Sequence, residues 1–267
     1  MPLRLDPTFR DALAAASRPL AGIWVCSGSP LVAEICAGSG MDWTLIDMEH
    51  SPNGLESVLA QLQAIAAYPI TPLVRVPIGD VVTIKQVLDL GAQNLLVPMI
   101  SSAAEAAAAV AAVRYPPLGG RGIGNALARS GRWNRVEGYL ENAADHVSLF
   151  VQIETAAGVD AAAEIAAVDG VDGVFVGPSD LSASMGVLGQ QTHPDVEAAV
   201  LRTFDAVRAA GKPVGVNAFD PAVADRYLAA GASFVLVGAD VALLARGSEA
   251  LAARFIPAAD DPARASY

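Results

Sequence analysis

Four short segments of this 267-residue chain set polar residues at the ends of apolar runs. LIDMEHSP holds Asp47, Glu49 and His50; LVRVP holds Arg75; VQIET holds Gln152 and Glu154; GPSD holds Asp180. Charge at the end of a buried strand is costly unless it is paired or used. Glu154 and Asp180 are two carboxylates suited to a hard divalent cation, with water and substrate completing its shell. Two carboxylates also suit general acid–base work on a glycoside. The structural alternative pairs Glu154 with an arginine and makes Asp180 a turn cap. His50 suits a proton-abstracting imidazole if a carboxylate fixes its tautomer, and Asp47 and Asp89 are the nearby acids. Otherwise it caps a turn through its backbone. Arg75 is a permanently charged fork for a substrate carboxylate or a developing enolate oxygen. Its alternative is a salt bridge to Glu154 or Asp47.

These residues need a scaffold that gathers them. Short β-branched runs recur at 22–26, 43–47, 71–76, 94–98, 148–153, 173–177, 213–217 and 234–238. Helical patterns fill the gaps at 30–39, 54–67, 81–90, 103–113, 157–167, 196–210, 222–229 and 239–254. Runs such as GVFVG and FVLVG are apolar throughout, as strands covered on both faces require. Eight strand–helix units in roughly 250 residues predict a (β/α)8 TIM barrel, whose chemistry sits at the C-terminal ends of its strands. A doubly wound open sheet would need a glycine fingerprint after the first strand, and the chain there reads CSGSP. The barrel converges Asp47, Glu49, His50, Arg75, Gln152, Glu154, Asp180 and Asn217 on one mouth. One domain is expected over 1–267, with a loop and short helix inserted at about 115–146. Gly119–Gly124 in that insertion is read as a turn and not a phosphate cradle. The tail PAADDPARASY reads as a frayed terminus.

Composition removes several classes. The net charge is −11 and the only lysines are Lys85 and Lys212, which argues against nucleic acid and anionic membranes as partners. Cys26 and Cys36 form neither a disulfide framework nor a zinc pattern; with no leader-like apolar segment at the start, a reduced cytoplasmic setting is expected. Cys26 is read as a small buried thiol and not a nucleophile. No apolar run reaches the length of a membrane span. Imine catalysis needs a lysine inside the barrel, whereas Lys85 falls in a helix and Lys212 precedes a strand. A barrel of this kind that makes carbanions therefore needs a metal to hold the enolate.

LIDMEH, LVRVP, VQIET with VDGVFVGPSDLSASMG, and GASFVLVGAD together resemble the HpcH/HpaI class II pyruvate aldolases over residues 22–255. The resemblance implies a barrel of the phosphoenolpyruvate/pyruvate superfamily type, dependent on Mg²⁺, Mn²⁺ or Co²⁺. It implies reversible cleavage of 4-hydroxy-2-oxo acids to pyruvate or hydroxypyruvate and an aldehyde. It also implies a homo-hexamer, a trimer of dimers that exchange the last helix. Carried over residue by residue, it makes Glu154 and Asp180 the metal ligands and places Arg75 on the pyruvyl oxygen. His50 becomes the catalytic histidine, with Asp47 alongside and Asp89 as its acid partner. Gln152, Gly177, Pro178 and Ser179 line the pyruvate pocket. The base is either His50 or a metal-bound hydroxide that His50 positions.

The strand ending KPVGVNA departs from the more aliphatic family pattern, which makes Asn217 a candidate substrate contact. Ser27 and Ser29 are others. A distal acceptor carboxylate would call on Arg121, Arg129 or Arg132 in the insertion, or on a neighbouring subunit. Two other readings stay open. One is an acyl-CoA carbon–carbon lyase of the citrate lyase β-subunit or malyl-CoA lyase type, which needs a basic pocket. The other is a barrel that only binds.

Overall fold

The computed structural model describes residues 3–256, so the tail read as frayed lies outside the described residues. The strands are β1 (Leu20–Val25), β2 (Trp43–Asp47), β3 (Thr71–Arg75), β4 (Asn94–Val97), β5 (Ser148–Ile153), β6 (Gly173–Val176), β7 (Val214–Asn217) and β8 (Phe234–Ala239). They pair in parallel and in chain order, and β8 closes on β1 to complete the barrel. The helices are α1 (Phe9–Ala15), α2 (Pro30–Ala37), α3 (Leu55–Ala64), α4 (Val81–Asp89), α5 (Ala103–Val113), α6 (Ala156–Asp160), α7 (Ala162–Ala167), α8 (Pro178–Ser184), α9 (Pro194–Ala209), α10 (Pro221–Ala229) and α11 (Asp240–Phe255).

Five of the eight connections from a strand to the next helix end in a residue that caps that helix. Ser29, Asp80, Ser102, Thr155 and Asp220 cap α2, α4, α5, α6 and α10 by accepting backbone N–H groups of the first turn. The strand ends, and the side chains they carry, are thereby fixed in direction.

The barrel is solid below the mouth. Trp43, Phe150, Phe175 and Phe234 fill it, and α1 drives Phe9 into them from the N-terminal end, 5.3 Å from Trp43, 5.2 Å from Phe150 and 5.3 Å from Phe234. Glycines on the facing strands make the room: a Cβ at Gly22 would lie 2.2 Å from the Trp43 ring, and one at Gly215 would lie 2.3 Å from Phe234. A second apolar shell of valine, isoleucine and alanine lies between sheet and helices.

Sequence reading did not foresee two helices. α1 is a seven-residue helix held by a capping box between Thr8 and Asp11, and α8 begins within the GPSD segment, where a turn was expected. The helix expected over 157–167 is two, α6 and α7, joined at Ala161. The insertion is a run of turns ending in a 3-10 helix at Ala143–His146. Its glycine stretch is a turn: the N–H groups of Gly120 and Arg121 are taken by the carbonyls of Ala111 and Arg114. No helix among the described residues is long and apolar enough to cross a membrane.

Candidate active site

A cavity of about 340 Å³ opens at the C-terminal ends of the strands. One wall carries His50, Arg75, Gln152 and Glu154, together with Gly177, Pro178, Ser179 and Asp180 from the start of α8. Trp24, Asn217, Phe219 and Tyr227 also line it, from β1, the end of β7 and α10. The mouth thus gathers chemistry from strands that are distant in sequence, as a parallel barrel does.

Arg75 is the anchor of the wall. It is 2% exposed, and its Nε and Nη2 donate to the two oxygens of Asp47 at 2.8 and 2.9 Å. Its Nη1 lies 2.8 Å from Glu49 Oε2, and the guanidinium stacks 4.5 Å from the Trp24 ring. The cavity-lining cation and the salt bridge, alternatives in the sequence, are therefore both present. Asp47 is 1% exposed, and burial pushes its carboxyl up, but the hydrogen bonds and charge of Arg75 outweigh this and hold it below the usual aspartate range. Asp47 also accepts the backbone N–H groups of Glu49 and His50 and the Ser51 hydroxyl, so one carboxylate fixes both the arginine and the turn.

Among the described residues Glu154 has no arginine partner. It is 1% exposed; its Oε1 accepts the Met99 N–H at 2.8 Å, and its Oε2 accepts from the Gln152 amide. Burial pushes its carboxyl up to about 7, the nearby Glu49 and Asp180 charges adding to that effect and the two hydrogen bonds opposing it. Asp180, in the first turn of α8, is exposed and lines the same cavity. Gly177 is the cradle for Glu154, since a Cβ there would stand 2.6 Å from Glu154 Oε2.

His50 projects into the opening with its side chain 64% exposed. Asp47 does not touch the imidazole; it holds the His50 backbone and is turned toward Arg75. The imidazole Nε2 instead lies 3.8 Å from Glu49 Oε2. Asp89, expected as the acid partner, is not at the mouth of its own chain. It ends α4, and a helix returning from a strand's C-terminal end finishes at the opposite end of the barrel. There Asp89 faces Arg121 Nη2 at 3.5 Å. Arg129 and Arg132 donate to the backbone carbonyls of Leu90 and Arg129, and none of the three insertion arginines lines this cavity. Neither Ser27 nor Ser29 lines it, whereas Asn217 does.

Some contributors were not singled out from the sequence. Met99 serves through its backbone N–H and sits at φ 58°, a region that non-glycine residues rarely occupy. Nothing in VPMIS signals this. Trp24 and Phe219 meet edge to face at 6.3 Å across the mouth; aromatic residues at the ends of β1 and β7 were the available signal. Burial, with the Asp47 and Asp240 charges adding to it, pushes the Cys26 thiol up to about 11, which keeps it a neutral thiol near neutral pH. Lys212 donates to the Val171 carbonyl at 2.7 Å, and neither lysine lines the cavity.

The sequence and fold have close counterparts. The family model for the HpcH/HpaI aldolase/citrate lyase domain matches residues 20–247. A Salmonella dublin protein named 4-hydroxy-2-oxo-heptane-1,7-dioate aldolase is 55% identical over 247 residues, covering 92% of this chain and 94% of its own. The crystal structure of an HpcH/HpaI aldolase/citrate lyase family protein from Burkholderia cenocepacia J2315 superposes with a TM-score of 0.87 at 42% identity, covering 91% of this chain and 96% of that one. The HpcH/HpaI aldolase from Desulfitobacterium hafniense DCB-2 gives 0.83 at 27% identity, covering 93% and 98%. This chain belongs to the HpcH/HpaI aldolase/citrate lyase family, whose named activities make and break carbon–carbon bonds.

Proposed function

We propose that the protein is a divalent-cation-dependent aldolase that reversibly cleaves 4-hydroxy-2-oxo acids to pyruvate, or hydroxypyruvate, and an aldehyde. The observation that carries this reading is a single cavity whose lining includes Glu154 and Asp180, neither paired with an arginine among the described residues, and Arg75, held by Asp47 and Glu49.

The donor set fits Mg²⁺, Mn²⁺ or Co²⁺. Glu154 and Asp180 are hard oxygen ligands, and two of them leave coordination positions for substrate and water. A buried carboxylate of raised proton affinity beside a second acid is also the arrangement that a cation relieves. When bound, the cation supplies Lewis acidity at the 2-oxo group. Gln152 and the Gly177–Ser179 backbone form the floor on which the 2-oxo acid lies. Asp47 occupies the Nε–Nη2 edge of Arg75 and Glu49 stands at Nη1, which leaves one N–H on each Nη for the oxygen that gains charge. In the cleavage direction His50, directly or through water, takes the C4 hydroxyl proton, the oxygen's electrons form the aldehyde carbonyl as the C3–C4 bond breaks, and the resulting pyruvate enolate takes a proton back at its carbon. In the addition direction His50 takes a methyl proton, directly or through water, and the enolate carbon attacks the aldehyde. Both directions use the same residues.

The acyl-CoA alternative needs several cations for the cofactor's phosphates. The cavity lining among the described residues includes one arginine and no lysine, which favours the small 2-oxo acid. Asp89 can reach a His50 imidazole only across an interface between two copies, and the proposed trimer of dimers would supply one. The apolar residues of α11, with Leu243 62%, Leu244 72% and Leu251 61% exposed, support exchange of that helix between subunits. The setting proposed is cytoplasmic.

The test is pyruvate with a panel of short aldehydes, with and without Mg²⁺ or Mn²⁺. Aldol product that chelation abolishes supports the reading. Inactivation by borohydride in the presence of pyruvate would replace it with imine chemistry.

A further inference from the structure

Asp240 is the first residue of α11 and the only buried one in it, at 5% exposure. Its carboxylate faces back across the barrel seam. Oδ1 accepts the Cys26 N–H at 2.8 Å, Oδ2 accepts the Ser27 N–H at 3.0 Å, and Oδ1 also takes its own helix's Val241 N–H at 2.7 Å. Two successive backbone donors of the loop after β1 are thus clasped by one acid. The β1–β8 register shifts between Gly22 and Trp24 while the β1–β2 ladder runs unbroken to Val25, so the clasp holds β1 on the side where its ladder is irregular.

What the clasp holds leads to the mouth. Trp24 lies two residues before Cys26, and its ring carries the Arg75 guanidinium. Asp47 in turn holds both Arg75 and the backbone of His50. The route from Asp240 therefore reaches Arg75 through the Trp24 ring at the end of β1.

We propose that Asp240 is a positioning residue for the reaction, which fixes the aim of Arg75 by clasping the loop after β1. This rests on the aldolase reading above. Because α11 has no other buried residue in this chain, the clasp also joins the mouth to a helix that otherwise lies exposed on it. Asparagine in its place would keep one acceptor and turn an amide NH₂ toward the second backbone donor. Alanine would remove both acceptors. The order of effect is therefore wild type, Asp240→Asn, Asp240→Ala.

The experiment measures aldol turnover with Mg²⁺ and amide hydrogen exchange of the 24–29 segment in the full-length wild type and both variants. The expected result is faster exchange of the Cys26 and Ser27 amides and a kcat lowered by about ten- to a hundredfold, with the KM for pyruvate within about twofold. If Asp240→Ala does not fold, Asp240→Asn carries the test alone. Faster exchange with unchanged kcat would overturn the proposal, and so would unchanged exchange. A wild type that makes no aldol product would instead overturn the aldolase reading on which it rests.

Discussion

Asp47 and Arg75 sit opposite each other in the register of β2 and β3 and are joined by two hydrogen bonds, 2.8 and 2.9 Å long, between side chains almost wholly out of water. The pair is where structure and chemistry meet. It closes the top of the barrel wall and leaves the arginine's outer edge toward the cavity.

Removing Arg75 leaves Asp47 as an uncompensated buried charge, and removing the Asp47 charge leaves the buried Arg75 with Glu49 alone. Asp47→Asn is expected to cost about 3–5 kcal/mol of stability, read from the urea midpoint. Arg75→Lys keeps the charge but loses the fork, and is expected to lower kcat about a hundredfold while the KM for pyruvate changes less.

The same pair sets an acid limit. The Asp47 carboxyl is held below its ordinary value, so its contribution is present above the unfolded carboxylate's range and is lost as pH falls through it. Urea midpoints measured from about pH 6 down to about pH 3 should fall less steeply in Asp47→Asn than in the wild type.

Glu154 titrates with the opposite sign. In the cation-free protein its carboxyl is pushed up to about 7, so the unfolded chain gives up this proton first, and stability is lost as pH rises from the ordinary glutamate range toward about 7. A cation must displace that proton. Apparent Mn²⁺ affinity should therefore climb with pH up to about 7 and level off above, followed by calorimetry in two buffers of different ionisation heat.

His50 should be separable from stability. With 64% of its side chain exposed, His50→Asn is expected to leave the thermal midpoint nearly unchanged. It should lower exchange of the pyruvate methyl protons with solvent deuterium by about a hundredfold or more.

How far the sequence carried this follows from what each residue depends on. The eight strands were legible because a parallel barrel buries both faces, which writes continuous runs such as VLV and VFV. The mouth residues were legible because strand ends share one side of the barrel. Asp89 does not sit at the mouth of its own chain because α4 carries it to the far end of the barrel, and sequence spacing does not show which copy's mouth it serves. Phe9 and α1 were missed because a seven-residue helix has too few turns to show a period. The approach of Glu49 to His50 and the Met99 N–H on Glu154 depend on rotamer and backbone geometry, which spacing does not encode.

The central claim is that one cation is shared by Glu154 and Asp180, and Mn²⁺ titration of the wild type, Glu154→Gln and Asp180→Asn, followed by calorimetry or electron paramagnetic resonance, tests it most directly. The account predicts one site per chain in the wild type and affinity weakened about tenfold or more in each variant, with folding retained. Wild-type affinity in both variants, or no Mn²⁺ binding by the wild type, would contradict it.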